Sequence, residues 1–532
     1  MKAGLWLDSQ LTLEKWQLDA IRNIKCEAFE ITKILVLRNQ ESKKRVQISK
    51  ILYYVTLGIQ RKMVGLTRKI PISKVSELRN LGITFLEHKS EGSWERLDVQ
   101  AQNNFLGVDV IIKFESSLIK NPEELSVPLG ILSFHHGNPE SFRGRPAIFW
   151  EMYSKSSEIG IIVQKICSRL DSGDVVSQAS LKLNNYSYRK NFENLYLVST
   201  FLLSKAIDNL RKNETKQLKA SGRLFRLPSN NDTIKVLLLL VKNKVIFLLY
   251  GMFRQKKWWI AKVAIPKSFN ANIKILRGDI AKLEKPAGAY FVADPMVDSD
   301  GQVYAEVVSR PSYRGEIFLL NNNMWKKVEI NTSSLAHYSY PQVISEKGNK
   351  YIFAETAFHS SPHLLQLTSE GEKVCNIHYL KGLENERVAD GTLFKFEKNW
   401  YLFGSAQKSN YNLLHLWISE SLNGEFREHV ASPVCFDVKA QRMGGPILEQ
   451  GAMLIRFGQN CLVNYGSSLS ITRIDRLTPN DFHETLVGAI SYMEGHGPHT
   501  FSVLGEVAFV DGYEELWSIF AIFRKVLARI RR

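Results

Sequence analysis

Two adjacent histidines, His135 and His136, stand where an apolar segment gives way to a turn. They lie in ILSFHHGNPESFRGRP, residues 131–146, which passes from apolar residues into a stretch rich in Gly, Pro and Arg. The ordinary pKa of histidine falls near neutrality, so this side chain can accept and return a proton. The question is whether these histidines react or only pack, since histidine often lies partly buried without reacting.

The surrounding segments predict a strand that ends at this pair. Roughly the first 215 residues alternate short apolar runs with helical patterns, as in KAGLWL, EKWQLDAIRNI, ITKILVLRN, VDVIIKF and GILSF. Such alternation predicts a parallel sheet with helices on its faces. Ligands of these sheets bind beyond the carboxyl ends of strands, which is where SFHHG falls.

Residues 130–175 contain a motif of several parts at fixed distances. His135 ends the strand, an Arg143–Gly144 turn follows eight residues later, and Asp171 lies in LDSGD, 36 residues after His135. This pattern resembles the catalytic core of the N10-formyltetrahydrofolate-dependent formyltransferases, which include methionyl-tRNA formyltransferase and the sugar N-formyltransferases. The resemblance implies a Rossmann-like α/β formyltransferase fold and N10-formyltetrahydrofolate as co-substrate.

By this resemblance, His135 relays the proton that the attacking amine loses, and Asp171 fixes and stabilises the imidazole. The chain departs from the family at Ser133, where the family has an Asn whose amide donates to the developing oxyanion. A serine hydroxyl is shorter and rotates freely, and losing such a donor lowers the rate about 10²- to 10³-fold. Three interpretations remain open. The Ser133 hydroxyl donates to the oxyanion in place of the Asn, His136 or Asn138 makes that donation instead, or the site is inactive. Of the two histidines, only His135 is expected to react.

The resemblance also implies a binding site for the pterin ring beside the catalytic strand. The segment VDVIIKFESSLIK, from residue 108, resembles the family segment whose backbone groups hold that ring. A plain core strand would give the same pattern. The residues expected to bind the co-substrate are Ile111, Ile112, Lys113, Phe114, Arg143 and Gly144.

After about Lys257 the sequence changes to short β-rich runs that recur. Each run has a polar or Pro/Gly start, an apolar strand, a turn and a second strand rich in aromatic and branched residues. Equivalent positions in the five copies are 47, 49, 55 and 55 residues apart. This period predicts an all-β, five-bladed propeller, with WWIAKVAI as its closing strand. An irregular β-sandwich is the alternative, but it does not explain five similar copies.

The landmarks VADP, HYSYPQV, FAET, VADGT and HTFS in these copies resemble the N-terminal propeller of plant glucosamine inositolphosphorylceramide transferases. That propeller in turn resembles the five-bladed furanosidase-type glycoside hydrolases, which project acidic residues into a central pocket. The resemblance implies a sugar-binding pocket lined by Asp294, Glu355, Asp390, His337 and His499. Two carboxylates can cleave a glycoside or only bind its hydroxyls, and we favour recognition because a fold does not carry its function with it. The two histidines can equally cap turns.

Composition narrows the partners and the compartment. A net charge of +17 calls for an anionic partner. The sequence has neither zinc-finger spacing nor an RNP-like run, so no nucleic acid partner is expected. Five widely spaced cysteines without a CxxC pair favour a reducing compartment and no metal site. The start, MKAGLWLDSQ, lacks the apolar region of a secretory signal, so a cytoplasmic location is expected.

Two segments that combine apolar and basic residues favour an anionic membrane surface as a partner. They are IKVLLLLVKNKVIFLLYGMFRQKKWW, residues 234–259, and EELWSIFAIFRKVLARIRR at the C-terminus. Neither offers eighteen uncharged apolar residues, so both are expected to lie at an interface rather than to span a bilayer. The alternative is that the first is a core or linker helix and the second a helix docked on its own domain.

These features predict four regions and one reaction. The regions are a formyltransferase-like domain at 1–215, a basic and apolar helical linker at 216–257, the propeller at 258–511 and a basic amphipathic helix at 512–532. The expected reaction transfers a formyl group from N10-formyltetrahydrofolate to an amino sugar on a nucleotide or polyprenyl carrier, at the inner face of the membrane, in surface-glycan biosynthesis. Methionyl-tRNA is not favoured as substrate, because that branch of the family continues into a small β-barrel. The alternative is a glycan-binding or hydrolase-like propeller with an inactive or folate-binding first domain.

Overall fold

The computed structural model describes residues 1–38, 47–98, 104–217, 220–265, 268–309, 314–331, 337–356, 361–523 and 526. The chain forms two compact units, Met1–Val245 and Ile246–Arg532. The first is a Rossmann-like α/β domain and the second is a five-bladed β-propeller. The predicted fold class is therefore confirmed.

A seven-stranded sheet organises the first unit. From one edge to the other its strands are β13 (Asp174–Lys182), β12 (Glu158–Lys165), β10 (Ile131–His135), β8 (Val110–Lys113), β1 (Lys2–Leu7), β3 (Glu30–Leu37) and β5 (Ile83–Leu86). The five strands from β10 to β5 run parallel, as predicted, whereas β12 runs antiparallel to both of its neighbours, β10 and β13. His135 thus ends a strand in the interior of the sheet.

Two hydrophobic cores cover the two faces of this sheet. Successive strand side chains point to opposite faces, so Leu5 and Leu7 enter one core and Trp6 enters the other. The first core includes the apolar faces of helices α1 (Lys15–Arg22) and α5 (Tyr188–Arg211). Apolar residues between positions 105 and 131 close the second core. Apolar side chains therefore cover both faces of the sheet, and the polar residues lie at the strand ends.

Short elements complete the first unit. The short helices are α2 (Ile51–Tyr53), α3 (Ile59–Lys62) and α4 (Phe149–Tyr153). The short strands are β2 (Thr12–Glu14), β4 (Lys69–Pro71), β6 (His88–Glu91), β7 (Trp94–Leu97), β9 (Leu118–Ile119), β11 (Phe142–Gly144) and β14 (Arg223–Phe225). Strands β11 and β14 pair in parallel and fix the turn that follows β10.

A 24-residue helix, α6 (Asn230–Phe253), follows. Its length and the mean hydropathy of 1.9 over its most apolar 18 residues are sufficient for a membrane span, and 11% of that stretch is buried. By length and composition the segment therefore qualifies as a span, contrary to the expectation from its lysines. Its low burial also does not fit the alternative of a core helix.

Five sheets form the propeller of the second unit. The first blade consists of β18 (Ala289–Val297), β19 (Val303–Ser309), β20 (Gly315–Asn321) and β21 (Met324–Lys327). The second consists of β22 (Ser339–Glu346), β23 (Asn349–Glu355), β24 (His363–Leu367) and β25 (Val374–Tyr379). The third consists of β26 (Val388–Phe396), β27 (Asn399–Ala406), β28 (Leu414–Ser419) and β29 (Arg427–Glu428). The fourth is β30 (Leu448–Gln450), β31 (Met453–Gln459), β32 (Leu469–Leu477) and β33 (Phe482–Tyr492), with β16 (Ile273–Ile275) at its edge. The fifth is β34 (Phe501–Leu504), β35 (Val507–Trp517), β15 (Arg254–Ala264) and β17 (Ala281–Lys282).

Strand β15 closes the ring of blades by pairing with the last strand, β35. The register runs from Arg254 opposite Trp517 to Ala264 opposite Val507. WWIAKVAI is thus the closing strand, as predicted, and residues 254–257 are strand rather than linker helix. The predicted C-terminal helix is also wrong at its start, because residues 512–517 complete β35. Helical structure is found at 521–523 and 526, and the other residues of the predicted helix after 523 lie outside the described ranges.

A bulge recurs at the same place in the first strand of the first three blades. Register shifts fall between Ala293 and Met296 and at the two matching positions of β22 and β26. They place Asp294, Tyr340 and Asp390 in the left-handed region, with φ of 53°, 52° and 49°. Because a bulge re-aims a side chain, the repeated motif turns one polar residue per blade out of the strand pattern.

Candidate functional site

The predicted histidine and aspartate meet at the end of β10. His135 is buried, and its Nδ1 lies 3.2 Å from Oδ1 of Asp171. Its Nε2 lies 3.1 Å from the carbonyl oxygen of Phe142. Since both ring nitrogens face acceptors, only the doubly protonated imidazolium donates to both at once. The two residues that the motif places 36 positions apart thus form one ion pair.

The turn after β10 holds the carboxylate of Asp171. The N–H of Gly144 donates to Oδ2 of Asp171 at 3.0 Å. Gly144 has φ +84°, and a Cβ there would lie 2.1 Å from the Phe225 carbonyl oxygen, so only glycine fits. Arg143 donates to the Leu170 carbonyl oxygen at 2.7 Å. Arg143 therefore ties the two loops together, and it does not line the pocket beside the pair.

Burial and pairing act in opposite directions on the two groups. Burial disfavours the imidazolium, but the hydrogen bond and charge of Asp171, with the Phe142 carbonyl, outweigh it and raise the pKa of His135. Burial likewise disfavours the carboxylate, but His135, the Gly144 N–H and the charge of Arg143 lower the pKa of Asp171. The charged pair is therefore the state that this site stabilises.

A third titratable group, Glu151 of α4, was not predicted. Its side chain is 2% exposed, and burial raises its pKa to about 7 while the charge of His135 acts in the opposite direction. Glu151 lies sixteen residues after His135 in a short apolar helix, where a single Glu gives no spacing signal. Glu151 therefore adds, near the pair, a carboxyl group whose pKa is close to neutral pH.

A pocket of about 670 Å³ opens beside the ion pair. This volume lies within the range of sites that enclose a small organic ligand. The predicted residues that line it are Lys113, Phe114, Ser133, His135, Gly144 and Asp171. Aromatic rings from other elements also line it, namely Trp16, Tyr53, Tyr54, Trp94, Phe192 and Tyr196. The predicted catalytic residues therefore share one cavity with an aromatic wall.

The predicted co-substrate segment is divided by the sheet. Ile111 and Ile112 are buried in the two opposite cores and do not line this pocket, because neighbouring residues of a central strand face opposite sides. Lys113 is also buried, and its Nζ lies 3.1 Å from Glu115 Oε2 and donates to the carbonyl oxygen of Ser117 at 2.7 Å. Burial lowers the pKa of Lys113. Its ammonium group thus fixes the loop at 115–117.

His136 points away from His135. Its ring contacts Trp16 and Tyr196, with centroids 5.4 and 5.5 Å away, and its Nε2 lies 3.1 Å from the Ser199 hydroxyl. Burial, with the charge of His135, lowers its pKa to about 3, so the ring is neutral. The structure gives His136 the packing environment that was expected for it, and not one beside Ser133.

An ion pair elsewhere in the pocket wall was missed by the sequence analysis. Arg61 donates to both carboxylate oxygens of Glu14, at 2.9 and 3.0 Å, and to the Tyr196 hydroxyl at 2.6 Å. Burial disfavours its charge, but Tyr196 and Glu14 outweigh burial and raise its pKa. The three residues come from separate segments without a shared motif, so only the fold reveals them.

Two of the predicted propeller residues meet in a buried cluster. The Thr500 hydroxyl donates to Oδ1 of Asp294 at 3.0 Å, and Nδ1 of His499 lies 2.7 Å from Asp511 and 3.4 Å from Asp294. The ligand atoms of Asp294, His499 and Asp511 lie within 4.8 Å of one another, a spacing that suits a metal ion. Hydrogen bonds and charge pairing within the cluster use the same atoms. The cluster was not predicted as a metal site, because its members come from both ends of the propeller sequence.

Charge pairing sets the protonation of this cluster. Burial raises the pKa of Asp294 to about 6. Burial opposes the charge of His499, but Asp511 and Asp294 outweigh it and raise its pKa to about 9. The imidazolium of His499 therefore offsets one of the two negative charges that the flanking carboxylates can carry.

Asp390 and Glu355 form a second group with Arg442. Nε and Nη2 of Arg442 each lie 2.6 Å from Oδ2 of Asp390, and the Asp390 N–H donates to Glu355 at 2.9 Å. Burial, with the charge of Asp390, raises the pKa of Glu355 to about 7. The structure thus places two of the three predicted acidic residues side by side, through the Asp390 backbone, and adds an arginine.

His337 has the partners of a turn residue. Its Nδ1 accepts the Gly315 N–H at 2.8 Å, and its Nε2 lies 3.4 Å from Glu306. Both partners belong to the first blade. This arrangement matches the capping alternative for His337.

The fold and site together define a class: a Rossmann-like α/β unit with a buried His–Asp pair, followed by a five-bladed propeller. Residues 280–500 match the family model described as "Glucosamine inositolphosphorylceramide transferase 1, N-terminal". A relative of that name from Oryza sativa subsp. japonica is 25% identical over 218 residues, which are 37% of this chain and 28% of the relative. The chain therefore spans little more than a quarter of that relative's length.

Two solved structures are similar to parts of the chain. A sugar N-formyltransferase from Shewanella sp. is 13% identical, with a TM-score of 0.28, and the similarity covers 45% of this chain and 88% of that one. An alpha-L-arabinanase from Cellvibrio cellulosa, complexed with arabinohexaose, is 13% identical, with a TM-score of 0.28, covering 38% of this chain and 82% of that one. Each similarity covers less than half of this chain.

Proposed function

We propose that the first unit transfers a formyl group from N10-formyltetrahydrofolate to the amine of an amino sugar on a nucleotide or polyprenyl carrier. The observation that carries this proposal is the buried His135–Asp171 pair at the end of an interior strand, on the wall of a pocket of about 670 Å³. The motif that supplies the pair resembles the formyltransferase core, and its geometry suits the roles that the resemblance implies.

The pocket suits a folate co-substrate in size and lining. Flat aromatic side chains can stack on a pterin ring, and Arg169, which also lines the pocket, brings positive charge toward an anionic ligand. When bound, N10-formyltetrahydrofolate supplies the formyl group as an activated amide. Phe114, Trp16 and Tyr196 would hold the ring, since these three side chains line the cavity.

The contribution of the His–Asp pair is to move a proton. A proton must pass from the attacking amine to the leaving nitrogen as the formyl carbon exchanges one C–N bond for another. Nδ1 of His135 donates to Asp171, which stabilises the imidazolium, and Nε2 accepts the proton once the substrate amine takes the place of the Phe142 carbonyl beside it. The imidazolium next gives the proton up, so no net charge accumulates on the protein.

We assign recognition of the glycan to the propeller. The relatives that match residues 280–500 are named glucosamine inositolphosphorylceramide transferases, which supports a sugar-containing ligand. The predicted pocket carboxylates Asp294 and Asp390 already have internal partners in Thr500 and Arg442. Binding therefore suits the propeller better than bond cleavage, which needs a carboxylate that is free to reach the substrate.

The test incubates the full chain with N10-formyltetrahydrofolate and nucleotide sugars that carry a 3-amino or a 4-amino group. Release of tetrahydrofolate and mass spectrometry of the sugar report the transfer. We expect product from the wild type and a loss of about 10²- to 10⁴-fold in His135→Ala. The matched control is His483→Ala, which removes a half-exposed imidazole on the propeller and is expected to leave the rate unchanged. No formylated product from any amino sugar would overturn the proposal.

A second function, glycoside cleavage by the propeller, is favoured by one observation. Glu355, whose pKa burial raises to about 7, accepts the backbone N–H of Asp390, and the Asp390 side chain is paired with Arg442. An acid with a raised pKa near a second carboxyl group is the arrangement that glycoside hydrolysis uses. Assays with aryl furanosides test it directly. Turnover that disappears in Glu355→Gln, together with no formyl transfer, would make the propeller the catalytic unit.

A further inference from the structure

Helix α6 and the end of β35 expose a set of large apolar side chains in the second unit. The Ser518 N–H donates to the Phe253 carbonyl oxygen at 2.9 Å and the Tyr250 hydroxyl donates to Glu515 at 2.5 Å, so the two segments lie side by side. The exposed residues, here called the apolar patch, are Ile246, Phe247, Leu248, Leu249, Met252, Leu516, Trp517, Ile519, Phe520 and Phe523. Large exposed apolar patches mark surfaces that bind a protein or a membrane.

The most exposed side chains of the apolar patch lie at the end of β35 and just after it. Trp517, Ile519, Phe520 and Phe523 are between 60% and 69% exposed. Aromatic side chains favour the boundary between lipid headgroups and acyl chains, because their flat rings suit a half-polar medium. Trp517, Phe520 and Phe523 are therefore suited to that boundary, and Ile519 adds aliphatic surface beside them.

Both ends of α6 are held by folded protein, which does not suit a helix that crosses a bilayer. Within the first unit, Lys235 donates to the Tyr153 hydroxyl at 3.2 Å and Asn243 donates to the Asn185 carbonyl oxygen at 3.1 Å. Within the second unit, Tyr250 is tied to Glu515. The residues between Asn243 and Tyr250 are too few to span the hydrocarbon core, which needs about 20.

We propose that the apolar patch binds the interface of an anionic lipid bilayer without crossing it. Charge complementarity favours a lipid surface over another protein: the chain carries +17, and Arg254, Lys256 and Lys257 follow the helix directly. The guanidinium of Arg254 lies 4.4 Å from the centre of the Trp517 ring, so a cation sits at the edge of the patch. An amphipathic surface of this kind lies in the headgroup region, with its apolar side chains among the acyl chains.

The test measures co-sedimentation of the full chain with phosphatidylcholine vesicles, with and without phosphatidylglycerol. We expect binding that requires phosphatidylglycerol and weakens with salt, and a loss of at least about tenfold in the variant Trp517→Glu, Phe520→Glu. The matched control replaces two exposed apolar residues elsewhere on the propeller, Met324→Glu and Leu486→Glu, and is expected to bind like the wild type. If the first variant does not fold, Leu248→Glu on the helix tests the same patch.

Three results would overturn this proposal. One is no sedimentation with either type of vesicle. Another is a dimer in sedimentation velocity that the patch variant converts to a monomer while vesicles are not bound, which would make a second copy the occupant. The third is wild-type protein that alkaline carbonate fails to extract from membranes, which would show a span.

A separate observation concerns Gln164 of β12, on the wall of the first unit's pocket. Its side chain is buried, its Oε1 has no hydrogen-bond partner, and none of the hydrogen bonds found among the described residues involves its carboxamide. A buried amide without a partner is costly and marks a place where a ligand completes the hydrogen bonding. Rotation of the amide by 180° exchanges its oxygen and nitrogen, so either group can face the pocket.

Gln164 lies directly opposite Ser133. The two residues pair in the antiparallel register of β10 and β12, so their side chains share one face of the sheet, with Cβ atoms about 4.5–5.5 Å apart. His135, two residues further along β10, points to the same face. Asn138 is engaged elsewhere, since its Oδ1 accepts the Glu140 N–H at 3.0 Å.

We infer that the Gln164 carboxamide donates to the formyl oxygen in place of the asparagine that Ser133 replaces. This inference rests on the proposed formyl transfer. As the amine nitrogen bonds to the formyl carbon, the C=O electron pair moves to oxygen and the Gln164 N–H stabilises it. The C–N10 bond then breaks, its electron pair goes to nitrogen, and His135 returns the proton there.

The test compares binding of 10-formylfolate and folate by calorimetry, which needs no turnover. The wild type is expected to prefer 10-formylfolate by about 3- to 10-fold, and Gln164→Leu to lose that preference. In the transfer assay Gln164→Leu is expected to lower kcat about 10²- to 10³-fold with little change in KM. Adding Ser133→Asn to Gln164→Leu is expected to restore the rate.

The two proposals fail in different ways. If the wild type binds 10-formylfolate and forms product while Gln164→Leu is unchanged in both assays, the role of Gln164 is overturned and formyl transfer stands. If the wild type neither binds 10-formylfolate nor forms product, formyl transfer is overturned, and the inference with it.

Discussion

The replacement Asp171→Asn tests the ion pair of the first unit most directly. Asparagine keeps the size of the side chain and its carbonyl oxygen can still accept the Gly144 N–H, which now lies 3.0 Å from Oδ2. Its NH₂ group then faces Nδ1 of His135, so Nδ1 must accept instead of donate. The doubly protonated ring loses one of its two acceptors, while burial continues to disfavour charge.

The size of the effect follows from the hydrogen bond that is lost. A hydrogen bond to a charged group contributes about 1.5–3 kcal/mol, which corresponds to a pKa lower by about one to two at 1.36 kcal/mol each. Because pairing now raises the pKa of His135 above its ordinary value, the variant should fall to or below that value. Neutral His135 is the form that accepts the proton, so the acidic limb of the kcat/KM profile should move to lower pH and the plateau should fall.

The assay is the pH profile of kcat/KM, with an NMR titration of the His135 ring as an independent reading. Asp208→Asn, which removes a surface ion pair with Lys212, is the matched control and should change neither. In the wild type, the pair stabilises the fold fully between the ordinary pKa values of Asp and His. That stability is lost as pH falls through the lowered pKa of Asp171 and as pH rises through the raised pKa of His135. An unchanged titration of His135 in Asp171→Asn would refute the reasoning.

Three further predictions concern stability. Gly144→Ala should lower the unfolding free energy of the first unit by about 2 kcal/mol or more, because φ is +84° and the added Cβ would collide with the Phe225 carbonyl oxygen. Thermal melts measure this loss. Gly92→Ala is the control, since Gly92 also has a positive φ, +68°, but open space around it. Arg442→Leu should destabilise the propeller by about 3–5 kcal/mol in denaturant titrations, because it leaves Asp390 buried without its arginine partner. The pKa of Glu355 is raised in the folded state, so its contribution to stability is present below the ordinary pKa and lost as pH rises toward about 7. Denaturant titrations of Glu355→Gln should therefore vary less over that range than those of the wild type.

The parts of the fold that the sequence predicts are those with a local period. A blade repeats its strand and turn pattern, so five similar runs are visible before any pairing is known. The last strand is different. Residues 512–517 look amphipathic and helical, but they pair with Arg254–Trp259, some 250 positions earlier, and long-range pairing overrides local preference.

The same distinction separates the site residues. A motif with fixed distances carries His135 and Asp171, so their pairing is predictable without a structure. Arg61 and Gln164 enter the pocket through strand order and loop packing, which leave no spacing signal in the chain. Ile111 and Ile112 point to opposite faces of the sheet, and each face is covered by a hydrophobic core. The local sequence pattern does not show that both faces are covered, so the burial of both side chains was not predictable.

The bulges of the propeller bear on which unit does chemistry. In three blades, Asp294, Tyr340 and Asp390 adopt a strained left-handed backbone conformation that turns them out of their strands. Such strain persists only where the surrounding structure holds the residue in place. In this chain the surroundings are other protein groups: Asp294 accepts from Thr500 and from the Tyr340 N–H, at 3.0 and 3.2 Å, and Asp390 is held by Arg442. A carboxylate so engaged cannot approach a substrate without breaking a buried pair. The pocket of the first unit, by contrast, offers the carboxamide of Gln164, whose oxygen has no hydrogen-bond partner among the described residues, and a reaction needs groups that are still able to bind.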